Sequence, residues 1–221
     1  MHRLLDIIFS FVAMVVLVPF LSPVIMILRF SGEREIFYKQ QRVGVNGKEF
    51  RLFKFATMLK NSPNIGAGEI TLREDPRVLP FGKFLRKTKV NELPQLWNIF
   101  SGDMSVVGPR PMVPNTYADY PEVARQKLNT IRPGLTGIGS IIFRDEERYL
   151  VDRDDPMEFY RKHIIPYKSN LEIWFVDNNS LWLYLKIIFV TAWVVIFPAS
   201  KIADRAFNGI PKLPENLKFS C

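Results

Sequence analysis

The chain has 221 residues, 48% of them hydrophobic, so it can hold one domain and a membrane element, but not comfortably a second catalytic domain. Its net charge of +8 and its pI of about 9.6 indicate anionic partners, such as phosphorylated substrates, anionic lipids or nucleic acid. Cys221 is the only cysteine and only two histidines are present, which excludes an intrachain disulfide and argues against a zinc site.

The first long segment is an uncharged apolar stretch at residues 7–28. A straight helix of this length would rise roughly 33 Å, enough to cross the hydrocarbon core of a bilayer. Pro19 and the pair Ser22-Pro23 lie in its second half, where proline removes a backbone hydrogen bond and bends a helix. Positive charge flanks the stretch on both sides, which favours a hairpin with both ends in the cytoplasm; a straight span remains the alternative.

Short apolar runs interrupted by glycine follow at residues 36–58. They predict a β-hairpin with its turn near Asn46-Gly47, because these residues adopt the left-handed conformation that tight hairpin turns need. Residues 61–71 are polar and glycine-rich and predict a surface loop, either a cover for a substrate or a solvated connection. Basic residues along the hairpin are interpreted mainly as attraction to anionic lipid, worth about 1 kcal/mol per charge; they are Lys39, Arg42, Lys48, Arg51 and Lys54.

Four further segments have readable patterns. Residues 78–88 place phenylalanines between basic residues, which predicts an amphipathic helix at a membrane surface. Residues 121–128 predict a helix, and residues 131–140 predict a proline- and glycine-rich turn that carries an arginine. The acidic run at residues 145–155 is interpreted as a solvated face or a source of metal ligands. Residues 180–197 are apolar and rich in aromatic side chains, which favours an interfacial helix, with a second span as the alternative.

Residues 87–111 hold the strongest local pattern. Asn91 is a suitable N-cap for a short helix, Pro94 falls in its first turn, and Gly102 is expected to end it. Large apolar residues recur at helical spacing and predict one apolar face, formed by Leu93, Leu96, Trp97 and Phe100.

Glu92 and Arg110 are the candidate functional residues of this stretch. Glu92 lies at the start of the predicted helix, where the helix dipole keeps a carboxylate ionised and also favours a bound phosphate or metal ion. Arg110 lies between Pro109 and Pro111, whose fixed φ angles restrict the backbone, and a guanidinium held in this way suits bidentate phosphate recognition. A capped helix followed by a proline turn is the purely structural interpretation of the same residues.

The whole stretch, K-T-K-V-N-E-L-P-Q-L-W-N-I-F-S-G-D-M-S-V-V-G-P-R-P, resembles the signature of the bacterial sugar transferases. These are monotopic phosphoglycosyltransferases, which move a sugar phosphate from a nucleotide sugar to a polyprenyl phosphate. The resemblance covers most of the chain in the family's order, which makes it specific. Its other motifs are Phe37-Tyr38-Lys39-Gln40-Gln41-Arg42-Val43-Gly44, Lys54-Phe55-Ala56-Thr57-Met58, Asp75-Pro76-Arg77 and Arg132-Pro133-Gly134-Leu135-Thr136-Gly137.

The resemblance implies an α/β fold that is mostly α. Residues 1–30 are expected to form a re-entrant membrane helix-hairpin, broken at Ser22 and Pro23. Residues 31–221 are expected to form one cytoplasm-facing catalytic domain, with a small β-hairpin, several amphipathic interfacial helices and a C-terminal interfacial helix. The location that follows is the inner, cytoplasmic membrane of a bacterium.

The implied activity is transfer of a hexose-1-phosphate from a UDP-sugar to polyprenyl (undecaprenyl) phosphate, the first membrane step of glycan synthesis. The expected cofactor is Mg²⁺, with Glu92 and Asp103 as candidate ligands, because Mg²⁺ binds through one or two carboxylates and the substrate phosphates. The catalytic positions are Asn91 and Glu92. The candidate substrate-binding residues are Arg77, Arg86, Arg110 and Arg132; for Arg86, attraction to lipid is an almost equally good interpretation.

The sequence departs from the family pattern at the expected site. The family has an Asp-Glu pair whose aspartate attacks the donor, whereas this chain has Asn91-Glu92, and an amide carries no anionic oxygen for attack on phosphorus. Two more departures are Ala56, where the family commonly has a basic residue, and residues 137–140, which replace the family's Trp-Ala-Gln.

Three accounts of the departure at residue 91 remain open. In the first, Glu92 replaces the aspartate as nucleophile, or acts as base for direct transfer in a ternary complex. In the second, another carboxylate acts instead, one of Asp103, Asp145, Glu146 or Glu147. In the third, the chain is an inactive relative or carries an engineered change. Because the other motif residues stand in register with the family, we expect an active enzyme.

A protein of another functional class would require different residues of this chain. A membrane-bound scaffold for a glycan-assembly complex would need the apolar segments and the basic surface, but neither Glu92 nor Arg110. Nucleic-acid binding is not expected, because no recognised motif is present and the basic residues lie beside apolar membrane-type segments. Membrane lipids are expected partners, and a homodimer and contacts with downstream glycosyltransferases are further expectations.

Overall fold

The computed structural model describes residues 2–65, 75–151, 153, 155–200 and 202–217. These residues form an α/β structure that is mostly helical, as predicted, with two small two-stranded sheets. Its α-helices are α1 (Arg3–Phe30), α2 (Pro80–Lys87), α3 (Gln95–Ser101), α4 (Pro114–Ala118), α5 (Glu122–Leu128), α6 (Ile138–Ile142), α7 (Pro156–Phe159), α8 (Ile165–Asp177), α9 (Leu181–Ile196) and α10 (Ile202–Ala206). Its strands are β1 (Phe37–Val43), β2 (Glu49–Phe55), β3 (Ser105–Val107) and β4 (Gly134–Thr136).

The predicted β-hairpin is confirmed. Strands β1 and β2 pair antiparallel, with Phe37 opposite Phe55 and Val43 opposite Glu49. Asn46 and Gly47 in the turn have φ angles of 59° and 69°, the left-handed conformation that their types tolerate. The local chemistry of two residues was therefore sufficient to locate this turn.

The prediction of a simple turn at residues 131–140 is wrong. Strand β4 lies inside it and pairs parallel with β3, and α6 begins directly after it. The close approach depends on missing side chains: a Cβ at Gly134 would lie 2.1 Å from the Gly108 nitrogen, and a Cβ at Gly137 would lie 2.1 Å from the Gly108 oxygen. These glycines thus allow the backbones of β3 and β4, which are distant in sequence, to pack closely together.

Helix α1 continues through both prolines of the apolar stretch. Pro23 has no N–H to donate to the carbonyl oxygen of Pro19, four residues earlier, and the Ser22 hydroxyl donates to that oxygen instead, at 2.9 Å. Within the described part of the chain, α1 alone is long and apolar enough to cross a membrane, by length and composition, with a mean hydropathy of 2.7 in its best window. A re-entrant path for this helix stays a prediction.

One stripe of α1 packs on the rest of the protein along nearly its whole length. The contacting residues recur every three or four positions, as expected for one face of a helix; they are Leu5, Ala13, Met14, Leu17, Leu21, Val24, Ile25 and Leu28. Much of the remaining surface is exposed and apolar, including Val15, Val18 and Phe20. Both ends of α1 therefore lie against the same globular body.

Asp6 anchors the first turns of α1. It is 3% exposed, and its Oδ1 atom accepts hydrogen bonds from the Ser105 hydroxyl at 2.9 Å, the Val106 N–H at 2.8 Å and the Tyr184 hydroxyl at 2.8 Å. Nearby, Arg3 donates to the carbonyl oxygens of residues 99 and 100 at the end of α3. The N-terminal turns thus join α1 to α3, β3 and α9.

The main hydrophobic core lies where α6, α8 and α9 meet, around Ile138, Leu171 and Ile187, each with no exposed surface. Helix α9 covers most of the apolar segment predicted at residues 180–197, and its outer face exposes aromatic side chains such as Trp182, at 74%. Helices α2 and α5 fall in the two segments predicted to be helical. The predicted loop at 61–71 lies mostly outside the described residues.

We expect Asp6→Ala to destabilise the fold by about 3–5 kcal/mol, because it leaves two hydroxyls and one N–H buried without their acceptor. Tyr184→Phe removes only one of these donors and should cost about 1 kcal/mol. Denaturant unfolding of the purified protein in detergent, followed by tryptophan fluorescence, measures both. Equal stability of the wild type and Asp6→Ala would contradict the anchoring role.

Candidate active site

The start of α3 differs from the prediction. Asn91 is not an N-cap: it is buried in a 3₁₀ turn, Val90–Glu92, and α3 begins at Gln95. The N–H groups of Glu92 and Leu93 already donate to the carbonyl oxygens of Lys89 and Val90, both at 3.1 Å, so a side-chain cap has no free donors there. Gly102 does end the helix, with a φ of 103°.

The predicted apolar face of α3 is only partly buried: Leu96 is 7% exposed and belongs to the core. Trp97 and Phe100 are 54% and 36% exposed, whereas Asn98 has no exposed surface. The Asn98 amide donates to the Arg51 carbonyl oxygen at 2.8 Å and accepts from the Phe53 N–H at 3.0 Å, which fixes α3 against β2. A polar side chain can face inward here because the strand edge supplies its partners.

Glu92 and Arg110 meet in a bidentate ion pair. Arg110 Nη2 lies 2.7 Å from Glu92 Oε1, and Arg110 Nη1 lies 3.3 Å from Glu92 Oε2. The Glu92 side chain is 14% exposed and the Arg110 side chain 42%, so one partner faces the interior and the other reaches solvent. The fold therefore joins two candidates separated by 18 residues in sequence.

Further positive charges surround this pair. Burial lowers the pKa of Lys54 to about 7; the Glu92 carboxylate opposes this, and the charges of Arg42, Arg110 and Arg86 add to it. Lys54 thus lies close enough to Glu92 and to three arginines for the charges of all four to act on it. Such an excess of positive charge is costly unless an anion binds, and it suits a ligand with several negative charges.

Glu92 is ionised in this setting. Burial by itself would raise the pKa of Glu92, but the charges of Arg110 and Lys54 outweigh it and hold the pKa well below its ordinary value. A carboxylate so stabilised is a weak base, and both of its oxygens are occupied by Arg110. Its first effect is to orient the guanidinium.

Arg77 does not belong to this cluster. It is 3% exposed, its Nη2 lies 2.6 Å from Asp75 Oδ2, and its Nη1 donates to the carbonyl oxygens of Ser62 and Ile65 at 2.9 and 2.8 Å. The guanidinium therefore holds the chain segments before and after residues 66–74. The substrate-binding role predicted for Arg77 is not supported, because its donors are used inside the protein.

Arg132 and Asp103 lie at the far end of α3. Arg132 Nε donates to the Gly102 carbonyl oxygen at 2.8 Å, and Asp103 accepts from the Ser101 hydroxyl at 2.9 Å. Glu92 precedes the other end of this helix, so Glu92 and Asp103 are not brought together as a pair of metal ligands. Among the described residues, no group of three or more histidine, cysteine, aspartate or glutamate side chains could hold a metal ion.

The side-chain oxygen of Asn91 is a candidate metal ligand. Its side chain is 6% exposed, and its Oδ1 atom has no hydrogen-bond partner within the described ranges. A buried oxygen without a donor is uncommon and points to a missing partner. An amide oxygen in the residue before Glu92 is a ligand that Mg²⁺ accepts, since Mg²⁺ takes few protein ligands and completes its shell with water and substrate phosphates.

The acidic run contributes mainly structural contacts. Glu146 Oε1 lies 2.8 Å from Lys168 Nζ, and Asp155 caps α7 by accepting from the N–H groups of Met157 and Glu158. Asp152 and Asp154 lie outside the described residues. No sequence pattern predicted that Lys168 would be buried and Lys54 half-buried. For Lys54 the available signal was its place in the Lys54-Phe55-Ala56-Thr57-Met58 motif.

Together, the fold and the site define a protein with a long apolar helix, α1, packed on an α/β body that carries several basic side chains around one carboxylate. Comparison with protein families identifies its relatives. The family model described as bacterial sugar transferase matches residues 1–198. The chain belongs to the bacterial sugar transferase family.

Three relatives illustrate the similarity. An undecaprenyl-phosphate glucose phosphotransferase of Komagataeibacter xylinus is 33% identical over 88% of this chain and 36% of its own length. An undecaprenyl-phosphate galactose phosphotransferase of Salmonella typhimurium is 32% identical over 85% of this chain and 40% of its own. A UDP-N-acetylgalactosamine-undecaprenyl-phosphate N-acetylgalactosaminephosphotransferase of Aeromonas hydrophila is 30% identical over 83% and 42%. The chain spans about two fifths of the length of these relatives.

The shifted pKa of Lys54 predicts a pH-dependent stability. The pKa of Lys54 is about 7 in the folded protein, whereas its ordinary value, which applies to the unfolded chain, is 10.5. Between these two pH values unfolding takes up a proton, so the free energy of unfolding increases as the pH rises from 7 to 10.5. Relative to Lys54→Met, the wild type should therefore become more stable from pH 6 to 9.5, measured by unfolding midpoints. Lys48→Met, which removes an exposed lysine of the same hairpin, is the control. A constant difference between wild type and Lys54→Met would contradict the assignment.

Proposed function

We propose that the protein transfers a hexose-1-phosphate from a UDP-sugar to polyprenyl phosphate, in the assembly of a membrane-linked glycan. The observation that carries the proposal is the Glu92–Arg110 ion pair at 2.7 Å, close to the charges of Lys54, Arg42 and Arg86. The names of three relatives support it, since each is an undecaprenyl-phosphate sugar phosphotransferase. The three names carry different sugars, so the family likeness leaves the sugar undefined.

The reaction requires charge neutralisation and alignment more than a strong base. An oxygen of the acceptor phosphate forms a bond to the sugar-linked phosphorus of the donor, the bond from this phosphorus to the bridging oxygen breaks, and UMP leaves with the electron pair. Phosphate monoesters are anionic at neutral pH, so the attacking oxygen needs no proton removed. Guanidinium groups that stabilise the charge on the phosphates supply the main catalytic effect.

Direct transfer in a ternary complex fits these residues best. Asn91 has no anionic oxygen for attack, and Glu92 has both oxygens held by Arg110 and a depressed pKa, which makes it a poor nucleophile and a poor base. In this proposal Glu92 orients Arg110 toward the donor's diphosphate, and Arg86 and Lys54 contribute charge. The second account, in which another carboxylate acts, is not needed, although Glu146 lies close enough for its charge to act on Arg110.

A divalent cation has a place in this scheme. Asn91 Oδ1 and the Glu92 carboxylate would hold Mg²⁺, together with donor phosphates and water. When bound, Mg²⁺ would offset the negative charge that develops on the phosphate oxygens.

The packing of α1 supports a monotopic arrangement. At roughly 42 Å, α1 is long enough to span, yet one stripe of it contacts the globular body from Leu5 to Leu28. A helix crossing the bilayer upright would draw that body into the hydrocarbon with it. We therefore propose that α1 enters the membrane and turns back toward the cytoplasm near Ser22 and Pro23. The catalytic domain then lies on the cytoplasmic side of the inner membrane. A homodimer and contacts with downstream glycosyltransferases stay predictions.

Activity can be measured as UMP release from a panel of UDP-sugars, with purified protein, undecaprenyl phosphate and Mg²⁺ in detergent. We expect release by the wild type, loss on chelation, and a fall of about 100-fold in Arg110→Ala, because one charged donor to the reacting phosphate is removed. Arg161→Ala is the matched control, since Arg161 lies at the surface and pairs with Asp119. No release from any UDP-sugar, with abundant release by Asn91→Asp, would mean that the natural chain is an inactive relative.

The direct route makes a separate prediction. Protein mixed with the UDP-sugar alone should show no added mass in intact-protein mass spectrometry, and Asn91→Asp, which restores the family's aspartate, should accumulate a phosphosugar adduct. An adduct on Glu92 in the wild type would instead make Glu92 the nucleophile. A scaffold without catalytic function would keep glycan assembly intact in cells that carry alanine at Glu92 or Arg110.

The membrane topology predicts the labelling of a cysteine at position 2 in a Cys221→Ser background. An impermeant maleimide added to spheroplasts should leave it unlabelled until the membrane is permeabilised, because both ends of α1 lie on the cytoplasmic side. A cysteine at Asn46, in the turn of the β-hairpin, provides the cytoplasmic reference. Labelling of position 2 in intact spheroplasts would establish a straight span.

A further inference from the structure

Gln95 is a buried polar residue to which the proposed reaction assigns no task. It is the first residue of α3 and is 2% exposed, and its Nε2 atom has no hydrogen-bond partner among the residues that the structure describes. A buried amide N–H without an acceptor costs free energy, so its position calls for an acceptor from outside the chain. The backbone N–H groups of Leu96 and Trp97 already donate to the carbonyl oxygens of Leu93 and Pro94, so side chains would hold a ligand at this end of α3.

The position of Gln95 in α3 turns its side chain toward the space between α1, α3 and β2. Residues three and four apart lie on the same side of a helix, and Gln95 precedes Asn98 by three residues and Ile99 by four. Asn98 is bound to the backbone of β2. Ile99 belongs to the buried cluster that Leu52 of β2 and Met14 of α1 join. Gln95 therefore lies where these three elements meet.

Lys54 reaches the same space from β2. Side chains alternate between the two faces of a strand, so Lys54 lies on the face of Leu52, which belongs to the same buried cluster as Leu96 of α3. Strand β2 also contacts the turn that holds Glu92. The ammonium of Lys54 is close enough to Glu92 for the two charges to interact. An N–H donor from α3 and a cation from β2 thus converge beside the Glu92–Arg110 pair.

Helix α1 forms an apolar border on this side of the pair. Val90, at the start of the turn that holds Glu92, packs on a buried cluster that contains Leu28 of α1 and Phe55, the residue after Lys54. Arg110 comes instead from the proline turn, and its side chain is 42% exposed. The side of Gln95 and Lys54 therefore adjoins the long apolar helix, which suits a ligand with one phosphate and an apolar tail.

We propose that the Gln95 amide and the Lys54 ammonium bind the phosphate of the lipid acceptor, a monoester of an isoprenoid alcohol. This inference rests on the proposed function, and it divides the site into two parts. Arg110 binds the diphosphate of the donor, whereas Gln95 and Lys54 hold the phosphate that attacks it. The amide donates to one oxygen of the acceptor phosphate and the ammonium offsets its charge, which leaves another oxygen for the new bond to phosphorus.

The first measurement is the binding of farnesyl phosphate to the purified protein in detergent, by calorimetry and without a donor. Gln95→Met should raise the Kd about tenfold, because it removes a hydrogen bond to a charged oxygen. Farnesol, which has no phosphate, should bind the wild type and the variant equally. Gln126→Met, which replaces an exposed glutamine of α5, should keep the wild-type Kd. An unchanged Kd in Gln95→Met, or no binding by the wild type, would overturn the proposal.

The unfolding midpoint separates a binding role of Gln95 from a structural one. Because Nε2 has no hydrogen bond to lose, Gln95→Met should unfold at the same temperature as the wild type or at a higher one. A lower midpoint together with weaker binding would mean that the amide supports the fold, and would overturn the binding role.

Lys54→Met tests the same site from β2, and it also covers the case in which Gln95→Met does not fold. It should raise the Kd for farnesyl phosphate about tenfold, because the charge that faces the phosphate is lost. A wild-type Kd in Lys54→Met would contradict the proposal.

Steady-state kinetics assign the phosphate to the acceptor. In Gln95→Met the KM for undecaprenyl phosphate should rise about tenfold, and the KM for the UDP-sugar should stay within about twofold of the wild type. A rise in the KM for the UDP-sugar alone would place Gln95 at the donor and overturn the proposal. No UMP release by the wild type would overturn the proposed function, and the farnesyl phosphate titration would still decide the Gln95 contact.

A lipid headgroup is the other source of a phosphate monoester at a membrane surface. Dioctanoyl phosphatidic acid should therefore bind the wild type at least about tenfold more weakly than farnesyl phosphate, because its two acyl chains do not match a site built for one tail. Equal affinities for the two lipids, both weakened in Gln95→Met, would mean a general headgroup site and would overturn the assignment to the acceptor.

Discussion

The ion pair between Glu92 and Arg110 is the interaction on which the rest of the site depends. It links the turn before α3 to the proline turn after β3, and it is the means by which one carboxylate holds a guanidinium in place among other cations. Without that carboxylate, Lys54, Arg42, Arg86 and Arg110 would repel one another in a partly dry space. The cluster therefore carries a surplus of positive charge, which in the proposed function the diphosphate of the donor would neutralise.

The surrounding fold acts mainly to keep the two halves of this pair together. Asn98 fixes α3 to the edge of β2, and the glycines around β4 allow β3 and the proline turn to pack against a distant strand. Asp6 then joins the first turns of α1 to β3 and α9, so the apolar helix and the charged site form one packed unit.

The features that could be predicted from sequence are those that depend on one residue's own chemistry. Asn46-Gly47 places the hairpin turn and Gly102 ends α3, because backbone conformation decides both. Arg110 could be singled out from its two prolines. The prediction that Asn91 caps α3 was wrong because the N–H groups of Glu92 and Leu93 donate to the carbonyl oxygens of Lys89 and Val90. The sequence does not show these hydrogen bonds, since they depend on the three-dimensional path of the turn. The sequence interpretations of Arg77 and Lys54 missed their surroundings, because these depend on partners from distant parts of the chain. The burial of Asn98 was not predicted for the same reason.

The central claim is that the Glu92–Arg110 pair forms the wall of a diphosphate pocket. The most direct test is an experimental structure of the protein in lipid nanodiscs with UDP and Mg²⁺. The account predicts the β-phosphate of UDP within hydrogen-bonding distance of the Arg110 guanidinium, beside Glu92 and Lys54. A diphosphate bound elsewhere, with the Glu92–Arg110 pair unchanged and facing lipid, would contradict it.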